Sequence, residues 1–167
     1  TGHTILRGGA QAPPSRFLRL DNPGLANLLV TGGCCKERAR VAREFHEASR
    51  LRRGPFLATT ARRGDWTSTL LRALSGSLGR REHDPLREAE GGTLFLDEIE
   101  HLELNAQRLL AEFLRRGRSE GSRDSGWAGR IAAGAAGDLR PLVSSGRFLA
   151  PLQDALDKIR IDLGTEH

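Results

Sequence analysis

The stretch that decides the fold of this chain is Gly91-Gly92-Thr93-Leu94-Phe95-Leu96-Asp97-Glu98-Ile99, an apolar run that ends in two adjacent carboxylates. The part from Thr93 to Leu96 is short, apolar and preceded by a glycine pair, which is typical of a parallel strand covered on both faces. Asp97 and Glu98 then fall at the carboxyl end of that strand, where open α/β sheets bind their ligands. The pattern predicts a buried central strand with a candidate site at its end.

Two interpretations of this acidic end remain open on the run alone. In nucleotide hydrolases, a carboxylate here helps to hold Mg²⁺ and a second group orients the attacking water. Asp97 and Glu98 are accordingly candidate catalytic residues, and Asp97 is the candidate metal ligand. The structural alternative is a strand that ends at a solvated acidic turn.

Length and composition set the class of protein. A chain of 167 residues is long enough for one domain with an ordinary core. No apolar stretch approaches the roughly 20 residues of a membrane span, and no signal peptide is recognisable, so we expect a cytoplasmic protein without membrane contact. The chain contains no methionine, even at position 1, which suggests a piece of a longer polypeptide.

The only two cysteines, Cys34 and Cys35, are adjacent and cannot build a disulfide framework. Their scarcity fits a reducing compartment. Redox or metal chemistry is conceivable, but without further cysteine or histidine at ligand spacing we expect small buried residues.

The net charge of +5 comes from 26 basic and 21 acidic residues, and almost all of the basic residues are arginine. A basic balance can indicate nucleic-acid binding. Here the arginines are interspersed with acids, as around Glu37 and Glu44, and no aromatic residues lie between them to stack on bases. We therefore favour a solvated surface, and a nucleic-acid interface would require a clustered basic face.

Strands and helices alternate along the rest of the chain. Further strands are predicted at 25–31, 56–60, 130–136 and 159–163. Helices are predicted at 36–53, 68–74, 105–114, 139–144 and 149–157, with loops at 75–92 and 115–129. Residues 1–24 are expected to be a leading segment with at most one short helix, and 25–167 the core. This alternation predicts a parallel sheet sandwiched by helices.

The order of these motifs resembles the AAA+ ATPase domain of sigma-54-dependent transcriptional activators, the bacterial enhancer-binding proteins. Leu29 to Gly32 followed by Lys36-Glu37 is similar to the Walker A segment, and Gly91 to Ile99 matches the Walker B run. Residues 138–152 are similar to the segment after the sensor I strand. The resemblance implies a three-layer parallel α/β sheet, the P-loop NTPase or AAA+ core, without the helical lid, and ATP with Mg²⁺ as cofactors.

On this resemblance the nucleotide-binding residues would be Gly32, Gly33, Lys36 and Glu37. A phosphate-binding loop has four residues between its first glycine and the Gly-Lys pair. Aligned on Lys36, the loop is two residues short, and Cys35 stands where the family has glycine. We expect a degenerate Walker A loop.

Other working parts of the family are also replaced. The sensor I positions are Ala135, Ala136 and Gly137, and the paired arginine fingers would map to Leu149 and Ala155. One arginine finger raises the rate of nucleotide hydrolysis roughly 10³- to 10⁵-fold. The family's sigma-contacting loop is shortened to residues 75–79, its hairpin is reduced to 118–129, and the chain ends at 164–167, where the lid would begin.

These departures predict a regulatory or protein-interaction module of a transcription regulator, with impaired ATP binding and hydrolysis. The expected partners are proteins or further copies of the chain, and DNA would be contacted only through another domain. The alternative is a nucleotide-binding AAA+ ATPase with slow turnover that activates transcription. The histidines lack metal-ligand spacing, and we expect His46 and His101 to be structural or solvent-facing; the others are His3, His83 and His167.

Overall fold

The computed structural model of the protein describes residues 4–7, 26–76, 84–116 and 127–164. The strands in these ranges are β1 (Thr4–Arg7), β2 (Leu28–Thr31), β3 (Phe56–Thr60), β4 (Thr93–Asp97), β5 (Arg130–Ala135) and β6 (Ile159–Asp162). The helices are α1 (Cys35–Glu47), α2 (Trp66–Leu74), α3 (Pro85–Glu88), α4 (Leu104–Arg116), α5 (Arg140–Ser144) and α6 (Ala150–Leu156). A short 3₁₀ helix, Ile99–His101, follows β4. None of the helices in these ranges is long and apolar enough to span a membrane.

All six strands form one parallel sheet in the order β1-β6-β2-β5-β4-β3. The predicted parallel sheet is confirmed. Strand β1 was not predicted, because four residues are too few to show a periodic pattern. It pairs with β6 at the edge of the sheet, from Thr4 opposite Ile159 to Arg7 opposite Asp162.

Helices cover both faces of the sheet, which confirms the three-layer architecture. Helix α1 packs on one face, where Val41, Ala42 and Phe45 share a buried cluster with side chains of β2, β4, β5 and β6. On the other face, α2, α4 and α6 pack over a larger cluster that contains Leu94, Leu96 and other strand residues. Sequential strands joined by helical crossovers account for this arrangement.

Most predicted elements begin and end within three residues of their predicted limits, but α1 is an exception. The helix predicted at 36–53 ends at Glu47. The Ser49 hydroxyl donates to the carbonyl oxygen of His46 and accepts from the Leu51 amide, so the backbone leaves the helical path there. Such local bonds compete with the helical ladder, and residues 48–53 form turns instead.

The predicted loop at 75–92 contains the one-turn helix α3. Asp84 caps this helix by accepting a hydrogen bond from the Leu86 amide, and Pro85 fits its first turn. Residues 77–83 and 117–126, which hold most of the expected shortened loop and hairpin, lie outside the described residues, as do His3 and His167.

The sheet places three strand ends side by side. Strand β5 lies between β2 and β4, and every residue of these three strands is buried. Parallel pairing brings Thr31, Asp97 and Ala135 to the same edge, because each is the last residue of its strand. The predicted acidic site therefore lies over the middle of the sheet.

Candidate functional site

Asp97 ends β4 as a buried residue, with only 6% of its surface exposed. Its carboxylate lies against β5, where Gly134 leaves the necessary room. A Cβ added at Gly134 would overlap Oδ1 of Asp97. The absence of a side chain on β5 therefore lets the carboxylate turn inward.

Arg38 on α1 holds this carboxylate with two hydrogen bonds. Its Nε donates to Oδ1 of Asp97 over 2.8 Å, and its Nη2 donates to Oδ2 over 3.3 Å. The remaining nitrogen, Nη1, donates to the carbonyl oxygens of Gly32 at 3.1 Å and Gly33 at 2.8 Å. One guanidinium thus joins the loop after β2 to the end of β4.

The ion pair is closed to water, since the side chains of Arg38 and Asp97 are 5% and 9% exposed. Burial acts to lower the pKa of Arg38, but the hydrogen bond and the charge of Asp97 outweigh it and raise that pKa. Arginine stays protonated under all ordinary conditions. The negative charge of Asp97 is therefore matched by a permanent internal cation.

The loop after β2 turns its carbonyl groups toward that cation. Gly32 and Gly33 have φ angles of +83° and +61°, values that favour glycine. Their amides point elsewhere: Gly32 donates to the carbonyl oxygen of Ala135 at 2.9 Å, and Gly33 to that of Gly164 at 3.0 Å. Phosphate-binding loops work in the opposite sense, with amides facing an anion.

Lys36 and Glu37, the other two predicted nucleotide-binding residues, lie in the first turn of α1. Lys36 is exposed, and its side chain forms no hydrogen bond or ion pair with the part of the chain that the structure describes. The Glu37 carboxylate lies over the loop, as the distance of 2.6 Å between its Oε2 and a Cβ added at Gly33 shows. The structure brings Gly32, Gly33 and Glu37 together and leaves Lys36 at the surface.

The two cysteines occupy the junction between loop and helix. Cys34 is half-buried, and Cys35 is exposed at the first position of α1. The expectation that both are small buried residues is wrong, because this junction lies at the surface of the sheet edge rather than under a helix.

Arg38 is the site residue that the sequence-based interpretation missed. Four residues separate Gly32 from the pair Glu37-Arg38, which is the spacing of a phosphate-binding loop before its Gly-Lys pair. Counted this way the loop has full length, with Glu37 in the glycine place and Arg38 in the lysine place. The signal was present but was hidden by the nearby Lys36.

Glu98, the second predicted catalytic carboxylate, faces a different group of side chains. It has a left-handed backbone with φ +55°, an uncommon conformation outside glycine. Its Oε2 accepts from Nε of Arg62, and this hydrogen bond lowers the pKa of Glu98. Arg62 also lies 2.9 Å from Nε2 of the exposed His101. The turn therefore separates two carboxylates that are adjacent in sequence.

A third acidic residue, Glu100, lies beside the sensor I positions. Its Oε2 accepts a hydrogen bond from the Ala136 amide at 3.1 Å. Burial raises the pKa of Glu100, against the opposing effect of this bond. Ala135 is buried and Ala136 and Gly137 are exposed, so this segment offers backbone groups and no polar side chain.

His46 is structural, as expected, and lies at the other end of β4. Its Nε2 is 3.1 Å from the carbonyl oxygen of Gly54, which can only accept, so this nitrogen carries the proton. Its Nδ1 then accepts from the Thr93 hydroxyl at 2.8 Å, and Arg130 donates to the same hydroxyl. Burial lowers the pKa of His46, which stays neutral in this network.

The comparisons with known proteins agree with this fold. The sequence profile of the Sigma-54 interaction domain matches residues 18–162. The chain belongs to this family, and the resemblance to sigma-54-dependent activators is confirmed.

Curated relatives are transcriptional regulators. The chain is 31% identical over 150 residues to the DNA-binding transcriptional regulator NtrC of Rhizobium meliloti, which covers 81% of the chain and 30% of the relative. It is 34% identical over 139 residues to the C4-dicarboxylate transport regulator DctD of Pseudomonas aeruginosa, covering 76% and 29%. The chain thus spans about a third of the length of these relatives.

Solved structures share the fold at lower identity. NtrX from Brucella abortus in complex with ATP superposes with a TM-score of 0.73 at 23% identity, covering 98% of this chain and 39% of that one. The P-loop NTPase domain of a sigma-54 transport activator from E. coli gives 0.57 at 21% identity, covering 89% of both chains. The P-loop NTPase fold is thereby confirmed.

Proposed function

We propose that this Sigma-54 interaction domain does not hydrolyse ATP at a working rate and serves as a regulatory or protein-interaction module within a transcriptional regulator. The observation that carries this proposal is the buried ion pair between Arg38 and Asp97. Asp97 stands at the end of β4, where the family holds Mg²⁺. Both of its oxygens already accept hydrogen bonds from Arg38.

A metal ion does not fit this arrangement. To coordinate Asp97, Mg²⁺ would have to displace a guanidinium that is almost fully buried and also bound to two carbonyl groups. A displaced Arg38 would be left as an uncompensated buried charge, and such a charge costs about 3–5 kcal/mol. Mg²⁺ also gives up its own water reluctantly.

The phosphate side of the site supports the same conclusion. The amides of Gly32 and Gly33 already donate to Ala135 and Gly164. The Glu37 carboxylate over the loop would repel a phosphate group. The NtrX structure contains ATP, so the fold as such does not exclude nucleotide, and the proposal depends on the contacts around Asp97 and the loop after β2.

Hydrolysis would lack further parts. The segment 135–137 has no polar side chain to orient water, and the positions aligned with the arginine fingers are Leu149 and Ala155. Glu98 is held by Arg62, whose side chain is 57% exposed, rather than by groups around Asp97. These features favour loss of turnover over slow turnover.

Direct nucleic-acid binding is disfavoured by the mixed charge of the surface. Arginines in the described ranges pair with neighbouring acids at several separate places; these pairs are Arg62–Glu98, Arg115–Glu112, Arg140–Asp138 and Arg160–Asp157. We infer that any DNA contact of the regulator comes from another domain and that the protein acts in the bacterial cytoplasm.

Titration with a fluorescent ATP analogue and Mg²⁺ tests this proposal. We expect no saturable binding up to millimolar nucleotide, whereas a relative with an intact loop should bind in the same assay. The variant Asp97→Ala is measured in parallel, and Lys36→Ala serves as a control at an exposed position outside the lysine place. Micromolar binding that is lost in Asp97→Ala and kept in Lys36→Ala would overturn the proposed loss of nucleotide binding and favour the alternative, a nucleotide-binding ATPase.

A restored loop provides the matched positive variant. Replacement of Glu37→Gly together with Arg38→Lys returns the Gly-Lys pair at its full spacing. We expect this double variant to gain nucleotide binding, since it removes the carboxylate over the loop and the bidentate hold on Asp97. Circular dichroism and thermal melting verify that each variant is folded before its titration is interpreted.

A further inference from the structure

A groove with an apolar floor runs between α4 and α6, apart from the Arg38–Asp97 pair, and it includes the two positions aligned with the arginine fingers, Leu149 and Ala155. It encloses about 450 Å³, a size that suits several apolar side chains of a bound segment. Its floor combines residues of α4 with residues at and after the start of α6; these are Ala111, Leu114, Leu149, Pro151 and Ala155.

The rim of the groove is charged, with three basic and two acidic residues. Glu112 is already paired with Arg115 and with Arg116 on its own helix, which lowers the pKa of Glu112 to about 2. The other rim residues are Arg108, Asp154 and Lys158. Arg115 is the third basic residue of the rim, so three positive charges face two negative ones and the rim carries a net charge of +1.

This charge distinguishes between possible occupants. Two copies meeting groove to groove would bring Arg108 and Lys158 of each copy toward the same residues of the other. Like charges that face each other weaken an interface and suppress wrong partners. The chain as a whole carries +5, so a second copy is a poor electrostatic match. An acidic segment is a good electrostatic match for the rim.

We propose that the groove between α4 and α6 binds an acidic amphipathic helix of a partner protein. Leucine-sized side chains on one face of that helix fill the apolar floor, and its carboxylates lie against Arg108 and Lys158. The inference rests on the proposed role as a protein-interaction module, and it names the chemistry of the partner. Because the groove shares no residue with the Arg38–Asp97 pair, binding does not require nucleotide.

The test uses a labelled helical peptide of about 16 residues, with leucines at positions i, i+4 and i+7 and glutamates on the opposite face. Fluorescence anisotropy measures its affinity for the whole chain, with and without ATP and Mg²⁺. A matched peptide carries lysine in place of every glutamate. We expect saturable binding of the acidic peptide alone, unchanged by nucleotide.

Charge reversal at the rim then locates the site. The double variant Arg108→Glu/Lys158→Glu should weaken binding about tenfold, because each reversal removes an attraction and adds a repulsion. The control Arg52→Glu/Arg63→Glu makes the same charge change at exposed positions away from the groove and should have little effect.

Each other outcome overturns the inference. In these outcomes the acidic peptide does not bind, the lysine peptide binds equally well, or the two double variants lose the same affinity for the acidic peptide. Sedimentation that shows the chain associating with itself through the groove would overturn the inference as well. Peptide binding that depends on ATP would instead overturn the proposed loss of nucleotide binding while the groove assignment stands. The two proposals therefore fail in distinguishable ways.

Discussion

Removal of the Arg38 guanidinium is the perturbation that bears most directly on the site. In Arg38→Met the side chain keeps most of its apolar length, so the core packing around α1 changes little. What is lost is four hydrogen bonds and the only cation that the structure places on Asp97 within the described residues. Asp97 is left as a buried carboxylate without its partner.

The size of this effect follows from burial. Hydrogen bonds to charged groups contribute about 1.5–3 kcal/mol each, so four would sum to roughly 6–12 kcal/mol. That sum overstates the loss, because water can reach a carboxylate that is 9% exposed once the guanidinium is gone. We expect about 3–5 kcal/mol, the usual cost of breaking a buried pair from one side. For a domain of this size it corresponds to a fall of roughly 6–20 °C in Tm.

A double-mutant cycle in urea measures the coupling. Arg38→Met and Asp97→Ala should each destabilise the domain strongly, whereas the double variant should cost clearly less than the sum of the two. We expect a coupling of about 1.5–3 kcal/mol. Additivity within about 0.5 kcal/mol, or a cost below about 1 kcal/mol for Arg38→Met, would refute the view that this pair closes the site.

Four further measurements follow from the geometry. Gly134→Ala should destabilise by about 1–3 kcal/mol in urea, because its Cβ overlaps the Asp97 carboxylate, and equal stability would contradict this. Burial lowers the pKa of His46, so as the pH falls unfolded chains take up this proton near pH 6.5 and native chains only at lower pH; the difference in unfolding free energy between wild type and His46→Gln should therefore narrow in urea titrations from pH 7.5 to 5. Glu100→Gln should raise the free energy of unfolding at pH 7, because burial disfavours the charged carboxylate and raises the pKa of Glu100. This gain, measured by urea unfolding, should vanish as the pH falls through that raised pKa toward 4.5. A thiol reagent should label Cys35 in the native chain faster than Cys34, and Cys35→Ser should remove the fast phase.

Sequence patterns predict the central strands well because strands that are buried on both faces consist almost entirely of apolar or small residues. Strand β4 was placed to within one residue, since an apolar run between a glycine pair and two carboxylates allows few other structures. The edge strand β1 and the end of α1 were missed for local reasons. The first is only four residues long, and the second depends on hydrogen bonds of one serine.

The candidate site was half predictable. Asp97 follows from its place at the end of a buried strand, but the partner of Asp97 does not follow from residue type alone. Lys36 and Arg38 are both basic, and both lie in the first turns of α1. On a helix they differ by about 200°, so one faces the sheet edge and the other faces solvent. The start of the helix was predicted to within one residue, but the alignment put Lys36 in the lysine place of the loop, which Arg38 occupies two residues later.

The tether of the cation has a consequence for regulation. Because the Arg38 guanidinium is attached to α1, it competes for Asp97 with any free cation at a high effective concentration. Its hydrogen bonds to the carbonyl oxygens of Gly32 and Gly33 hold it in place even when another cation approaches Asp97. A ligand shifts an equilibrium only by its difference in affinity for the two states. If nucleotide binds neither state, ATP cannot move this domain between conformations. Under the proposed loss of nucleotide binding, a ligand that controls this domain binds elsewhere on it, and the groove between α4 and α6 that we propose to bind an acidic helix is such a place.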